Sequence, residues 1–254
     1  MDRITGGEAA PAVPLPGGLR PASLRRVRRV WRDLAEAPEA FQGPGCTIAP
    51  RGSAGEAGRV SVVQLGDATA VVVPPAMVSR FSDLVASRPG CDLTDPASVE
   101  NLVGPVARFL GPATLAYADD ACFQPREVQG ITMVPAGDDA ALDLTRACGA
   151  EDTDESAIAR VTSPVSVIER DGKVVAACGY EVWAASLAHI GVLTHPQWRG
   201  QGLATGVASS CVAQALQAGL VAQWRARCTL TASRRIARSL GFVELGRQLG
   251  FWLA

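Results

Sequence analysis

The hydrophobic pattern of the C-terminal half switches repeatedly between a period of two residues and a period of about 3.6 residues. Alternating apolar and polar positions predict strands, and apolar positions at i, i+3, i+4 and i+7 predict amphipathic helices. The predicted elements are, in chain order, a strand at 131–134, helices at 138–148 and 152–160, a hairpin of strands at 165–170 and 173–183, a strand at 189–194, a helix at 203–217, a strand at 222–229, a helix at 233–240, and strands at 242–246 and 248–253. This order predicts an α/β (mixed α+β) fold with helices on both faces of a sheet.

The N-terminal half begins with an amphipathic helix and continues with a mixture of strands and helices. Ser23 is a suitable N-cap, and Leu24, Val27 and Trp31 then recur at helical spacing until Pro38. The elements predicted after this helix are a hairpin of strands at 59–65 and 68–73, helices at 76–87 and 97–109, and a strand at 113–117.

Length and composition favour two domains. The chain has 254 residues, of which 48% are apolar, and a single core seldom grows much beyond ~250 residues. The stretch Phe123–Pro125 is the best boundary, because it separates the two groups of predicted elements. We therefore predict a flexible Gly- and Pro-rich tail at 1–20, a smaller α/β domain at 21–125, and a second domain at 126–254.

The charge balance gives no reason to expect a polyanionic partner. The formal net charge is -1, with 19% of the residues charged, which also excludes a disordered chain. Five arginines between Arg25 and Arg32 lie on the polar side of the first helix. They fit a solvated face or intraprotein salt-bridge partners better than a nucleic-acid patch, so we expect neither a nucleic-acid nor a membrane partner.

The cysteines and histidines provide little for a disulfide framework or a metal site. The seven cysteines never form a C-x-x-C pair, and there are only two histidines, so we expect free thiols and no metal. The chain has no signal-like segment and no run of ~20 apolar residues, which predicts a cytoplasmic protein. Lys173 is the one lysine among 24 basic residues, which suggests a GC-rich bacterial genome.

A glycine-containing turn between a predicted strand and a predicted helix is the sharpest local feature. It reads Gln197-Trp198-Arg199-Gly200-Gln201-Gly202-Leu203-Ala204. Glycines let a ligand approach the backbone, and the first N–H groups of a helix have no internal partner, so the turn can hold a phosphate. The segment lacks the Lys-Ser/Thr of a P-loop and the later acidic residue of a dinucleotide turn.

These residues resemble the phosphate motif of the GNAT N-acetyltransferases, Q/R-x-x-G-x-G/A, at Gln197, Gly200 and Gly202. The strand 190–194 and the Leu-Gly-Phe ending of the segment 232–242 are also similar to that family. Together with the order of elements, the resemblance covers about 131–254. It implies a mostly antiparallel, twisted sheet flanked by helices, with acetyl-CoA as the acyl donor.

The resemblance also implies which residues hold acetyl-CoA. The pyrophosphate would lie on backbone N–H groups of the turn and of the helix start, namely Arg199, Gly200, Gln201, Gly202, Leu203, Ala204 and Thr205. The pantetheine arm would add beside the strand like a further strand, along Val192, Leu193 and Thr194. Arg199 could also bring charge to the phosphates.

The sequence departs from the family at the general acid. The usual tyrosine position holds Ala237, and Ser233 and Ser239 are the nearest hydroxyls. For the general base, the strands bordering the acetyl group offer Glu181 and His189, the latter expected to titrate near neutrality. Tyr180 is a further side chain on these strands, and His195 is assigned a structural or solvent role.

The sequence thus predicts an acetyl-CoA-dependent N-acetyltransferase acting by direct attack on a primary amine of a small molecule or peptide. The alternatives are a non-catalytic acyl-CoA-binding or regulatory module, favoured by the missing tyrosine, and transfer of another acyl group or to a hydroxyl. A homodimer is possible. Residues 21–125 are either a degenerate second copy of the fold or an unrelated cover over the acceptor cleft.

Overall fold

The computed structural model describes residues 18–52 and 58–254, so most of the predicted tail lies outside the described residues. The helices are α1 (Pro21–Leu34), α2 (Val78–Ser87), α3 (Pro96–Val103), α4 (Asp139–Cys148), α5 (Ala150–Ser156), α6 (Leu203–Gln217) and α7 (Thr231–Ser239). The strands are β1 (Gly45–Pro50), β2 (Arg59–Leu65), β3 (Ala68–Val73), β4 (Val106–Ala118), β5 (Ile131–Val134), β6 (Val165–Arg170), β7 (Lys173–Trp183), β8 (Leu187–Thr194), β9 (Val221–Arg227) and β10 (Val243–Leu253).

All ten strands form one sheet in the order β1-β3-β2-β10-β4-β9-β8-β7-β6-β5. The pairs β1–β3 and β8–β9 are parallel, and the other neighbours are antiparallel. The predicted mixed, mostly antiparallel sheet is therefore confirmed. The predicted hairpins around Gly66-Asp67 and Asp171-Gly172 are also present as β2–β3 and β6–β7.

Strand β4 connects the two halves of the chain. It lies between β9 and β10 and pairs antiparallel with both. We predicted a helix over 97–109 and a strand at 113–117, but the helix ends at Val103 and the strand has 13 residues. One sheet thus contains strands from both sides of the predicted boundary at 123–125, while the division into two domains stays a prediction.

The last strand also differs from the prediction. One strand, β10, replaces the two predicted at 242–246 and 248–253. Its pairing with β4 contains register shifts, two of them next to Gly246 and Gly250. These irregularities let β10 bend without leaving the sheet, which explains why the sequence looked like two short strands.

Helices cover both faces of the sheet. The core under α6 and α7 contains Ala188 and Ile190 of β8, whereas the cores under α1 and α4 contain the alternate residues Leu187 and Leu193. Side chains alternate along a strand, so we call these two surfaces the α6 face and the α1 face.

Arginines of α1 dock this helix against the rest of the molecule. The Arg26 guanidinium donates to the carbonyl oxygens of Gly219 and Ser186, at 2.8 and 3.1 Å, and Arg29 donates to the Ser186 hydroxyl at 3.2 Å. These two arginines have intraprotein partners, which are carbonyl and hydroxyl oxygens and not the carboxylates of the predicted salt bridges. They hold α1 over the loop that precedes β8.

Candidate functional site

The site begins where β8 and β9 separate. Strand β8 pairs with β7 over all of Leu187–Thr194, but with β9 only over Leu187–His189. Beyond His189 the two strands diverge, so the backbone of 190–194 has no partner among the described strands on the side of β9. An opening of this kind can take an extended ligand that uses main-chain hydrogen bonds.

A cavity of about 490 Å³ occupies this opening. The predicted acetyl-CoA residues that line it are Val192, Leu193, Thr194, Arg199, Gly200, Gly202, Leu203, Ala204 and Thr205. The predicted acid Ser233 lines it too. Gln197 and Gln201 are exposed, and they are not among its lining residues.

The glycine turn presents backbone N–H groups to this cavity. Gly202 is the N-cap of α6 and makes no side-chain capping hydrogen bond. Gly200 and Gly202 have φ values of 79° and 78°, and, apart from chain neighbours, no atom of the described residues lies within 4 Å of a Cβ built on either. The turn thus needs glycine for its backbone, and the start of α6 is open to an anion.

Arg199 is already engaged. Its Nη2 donates to Asp152 Oδ2 at 2.6 Å, and its Nε donates to the Thr194 carbonyl oxygen at 3.2 Å. The Thr194 hydroxyl, by contrast, is buried and has no partner among the described residues. The buried Thr194 Oγ1 is therefore a more available ligand group than the Arg199 charge.

The predicted acid Ser233 faces the cavity from α7. Its oxygen accepts a hydrogen bond from Trp224 Nε1 at 3.0 Å, which leaves the hydroxyl proton free to be donated. Ser239 instead donates to the Ile236 carbonyl oxygen at 2.8 Å and does not line the cavity. Ala237 is buried in the core.

The two base candidates face each other on the α1 face. Glu181 of β7 is the Cα partner of His189 of β8, and neither lines the cavity. His189 is 4% exposed and stacks on Trp183, with ring centroids 4.4 Å apart. Burial, followed by the charges of Arg225 and Arg160, lowers the pKa of His189 to about 4.

The expected titration of His189 near neutrality is therefore corrected. Its imidazole is neutral at pH 7, but it binds a proton too weakly for an efficient general base. Of the remaining side chains considered, Tyr180 does not line the cavity, and His195 makes a local hydrogen bond. Tyr180 packs in the core under α6, where burial raises its pKa, and His195 Nδ1 accepts from the Gln197 N–H at 3.3 Å.

Sequence reasoning missed the acidic and basic side chains at the α1 side of the cavity. Glu155 of α5 and Arg225 of β9 line it, and Glu155 accepts from the Arg227 N–H and Nε at 3.0 and 2.9 Å. A Cβ on Gly191 would lie 2.7 Å from the Ser156 carbonyl oxygen, so this glycine lets the end of α5 approach β8. The signal available was Gly191, a glycine inside an apolar strand.

The described residues offer little for metal binding or membrane insertion. Among 18–52 and 58–254, no group of three or more His, Cys, Asp or Glu is placed to hold a metal ion. No helix in this part of the chain is both long enough and apolar enough to cross a bilayer.

Several solved structures are similar to this chain, with identities below 25% and TM-scores below 0.5. A GNAT-family protein from Novosphingobium aromaticivorans is 22% identical, with a TM-score of 0.47 over 58% of this chain and 65% of that protein, just under two thirds of its length. A GCN5-related N-acetyltransferase-like protein from Streptococcus suis is 18% identical, with a TM-score of 0.48 over 91% and 99%. A tandem GNAT protein from the clavulanic acid biosynthesis pathway is 13% identical, with a TM-score of 0.48 over 94% and 96%.

These values are too low to support a conclusion about function. No curated protein matches the sequence. The sequence model of the GNAT acetyltransferase family, however, matches residues 166–247, which include β6 to β9, the glycine turn and α7. The resemblance predicted from the sequence is therefore confirmed: residues 166–247 match the GNAT acetyltransferase family.

Proposed function

We propose that this protein is an N-acetyltransferase that moves acetyl from acetyl-CoA to a primary amine by direct attack. The observation that carries this proposal is the junction of two features in one cavity. The uncapped start of α6 at Gly202 adjoins the unpaired edge of β8. The first feature suits a pyrophosphate, and the second suits the extended arm that follows it.

The chain's own groups fit acetyl-CoA. The N–H groups of Leu203, Ala204 and Thr205 would hold phosphate, and the backbone of Val192 with the unpartnered Thr194 hydroxyl would hold the arm. Acetyl-CoA, when bound, would supply a thioester. Main-chain N–H groups along the open edge of β8 would then polarise its carbonyl.

Activation of the amine is the larger catalytic task. An amine with the pKa of lysine, ~10.4, is neutral in only about one molecule in 2,500 at pH 7, a handicap of ~4.6 kcal/mol. His189, with a pKa of about 4, contributes little to removing that proton. Glu155 is held by Arg227, so Glu181 is our candidate base, acting through a water molecule because it does not line the cavity.

Protonating the departing thiolate is the smaller task. With a thiol pKa of ~8.5, protonation of the thiolate by solvent at pH 7 is already favourable by ~2 kcal/mol. The Ser233 hydroxyl faces the cavity, and its oxygen is stabilised by Trp224. Ser233 can therefore assist the leaving group although Ala237 replaces the usual tyrosine.

The test is release of free CoA thiol from acetyl-CoA in the presence of a panel of primary amines, with acetylated product identified by mass spectrometry. N-acetylated product supports the proposal. O-acetylated product, or turnover with another acyl-CoA alone, favours the alternative acyltransferases. Tight acetyl-CoA binding without turnover of any acceptor favours the non-catalytic module, to which the missing tyrosine points.

A further inference from the structure

Buried polar groups without partners cluster on the α1 face beside the cavity. The Nε atoms of Arg225 and Arg59 are buried and have no hydrogen-bond partner within 18–52 and 58–254. The same holds for Gln223 Oε1 and His189 Nδ1, whose side chains are 0% and 4% exposed. Groups of this kind are costly to bury unless water or a ligand satisfies them.

Strand register places these groups close together. His189 is the Cα partner of Gln223 across β8 and β9, at the last pair before the strands diverge. Arg225 follows Gln223 by two residues and therefore projects from the same face of β9. Arg225 thus lies at the inner end of the cavity, next to the two buried unpartnered groups.

Arg59 extends the cluster into a second cavity of about 240 Å³. Its guanidinium passes over Gly250, where a Cβ would lie 3.1 Å from Arg59 Nε. The charge of Arg59 acts on Arg225 and contributes to a lowered Arg225 pKa, although burial is the larger cause. Trp31 and Trp183 also line the second cavity, and they meet edge to face with centroids 6.2 Å apart.

Several arginines of this region have no ion-pair partner among the described residues. Arg59 and Arg225 form no ion pair with any residue in the described ranges, and Arg160 adds a third charge that acts on Arg225. Of the nearby carboxylates, Glu155 is paired with Arg227. Another nearby carboxylate, Glu181, lies on β7, one strand further from β9 than His189 of β8.

We propose that the acceptor amine carries an oxyanion group, such as a carboxylate, that Arg225 and Arg59 bind, with its apolar part against Trp31 and Trp183. The guanidinium fork matches a carboxylate or a phosphonate in geometry and charge. The amine end then lies toward Glu181 and the thioester. This inference rests on the proposed acetyltransferase function, and it names the substrate class.

The experiment compares acceptors that differ in the anionic group alone. The probes are the twenty common amino acids, the corresponding amino-acid amides, and aminoalkylphosphonates with the same side chains. We expect the best acids to exceed their amides by ~100-fold in kcat/KM, chiefly through KM. The phosphonates show whether the site takes the carboxylate shape alone or any oxyanion.

Variants then assign the preference to the arginines. Arg225→Gln and Arg59→Gln should each reduce the acid-to-amide ratio to about 10-fold or less. Arg59 does not line the cavity assigned to acetyl-CoA, so Arg59→Gln should also leave the Kd for acetyl-CoA unchanged. Arg225→Lys keeps a charge without the fork and should recover part of the ratio even if Arg225→Gln folds poorly. Arg247→Gln is the matched control, because Arg247 is half-exposed and pairs with Asp92.

Two results separate this inference from the proposed function. Equal turnover of acids and amides overturns the oxyanion site and leaves the acetyltransferase standing. If no amine turns over, the acetyltransferase proposal fails, and titration calorimetry with the same acids then tests the oxyanion site by itself. Binding that Arg225→Gln abolishes supports an oxyanion site, and absence of binding overturns it.

Discussion

Replacing Gly202 with valine places a branched side chain where the phosphates of acetyl-CoA would meet the start of α6. Apart from its chain neighbours, no atom of the described residues lies within 4 Å of a Cβ at this position, so the Cβ itself can be accommodated. The valine side chain would occupy the approach to the N–H groups of Leu203 and Ala204. The fold is affected only through the backbone, because φ is +78° at Gly202.

The expected loss follows from the hydrogen bonds involved. A hydrogen bond to a charged group contributes about 1.5–3 kcal/mol. Loss of one or two such bonds costs about 3 kcal/mol, which raises the Kd for acetyl-CoA by roughly 100-fold. The left-handed backbone separately costs an L-residue about 1–2 kcal/mol of unfolding free energy.

Gly219 offers a matched control at the other end of α6. Its φ is +73°, and here too no atom of the part of the chain that the structure describes, other than the chain neighbours, lies within 4 Å of a Cβ built on it. Gly219→Val should therefore lose similar stability in urea unfolding while calorimetry gives the wild-type Kd for acetyl-CoA. Equal affinities in folded Gly202→Val and Gly219→Val proteins would refute the assignment of the phosphate site.

The other predictions concern the catalytic groups, the buried histidine and the sheet. Glu181→Gln should lower turnover by ~100-fold at pH 7 with a deficit that narrows as pH rises and the amine loses its proton unaided, whereas a deficit independent of pH would assign Glu181 a positioning role. Ser233→Ala should lower turnover by less than ~10-fold, and a larger loss in the same thiol-release assay contradicts our ordering of the two proton transfers. Folding lowers the pKa of His189 from 6.5 to about 4. The free energy of unfolding is therefore highest above pH 6.5, and it decreases as pH falls toward 4, because the unfolded chain binds a proton in this range and the folded protein does not. Urea unfolding should show a loss of about 2 kcal/mol between pH 7 and pH 5 that His189→Gln lacks, and equal losses in both proteins would count against it. The fragment 126–254 should not fold alone, although it was the second domain predicted from the sequence, since β9 and β10 would each lose β4 as a partner. A native-like circular dichroism spectrum of the fragment would contradict this expectation and support the division into two domains.

The C-terminal elements could be predicted from sequence because local signals agree there. Asp171-Gly172 marks a tight turn between two alternating runs, and β6 and β7 have the predicted bounds. The helix from Leu203 to Gln217 is also as predicted, since it lies between Gly202 and Gly219. In these segments the turn residues and the hydrophobic period indicate the same structure.

The first half of β4 could not be predicted in this way. Residues 106–109 continue an apolar helical pattern, and their strand conformation depends on pairing with β10, at the other end of the chain. Local periodicity contains no information about such a partner.

The residues of the candidate site differ in the same way in how well the sequence predicts them. The glycine turn is local in sequence and was found, whereas Arg225 and Glu155 meet only because β9 and α5 are brought to opposite sides of one opening. The low pKa of His189 likewise comes from burial and from arginines distant in sequence. A motif can be recognised from neighbouring residues, but an electrostatic environment needs the fold.

The position of β4 also determines when the protein can become complete during synthesis. The Thr114 hydroxyl donates to the Ala226 carbonyl oxygen, 112 residues later in the chain. On the ribosome, β4 must therefore wait with both edges unpaired until β9 and β10 have emerged. Such a strand folds slowly and can pair with other chains in the meantime. Expression at lower temperature or with chaperones should therefore raise the yield of native protein, for a reason unrelated to its final stability.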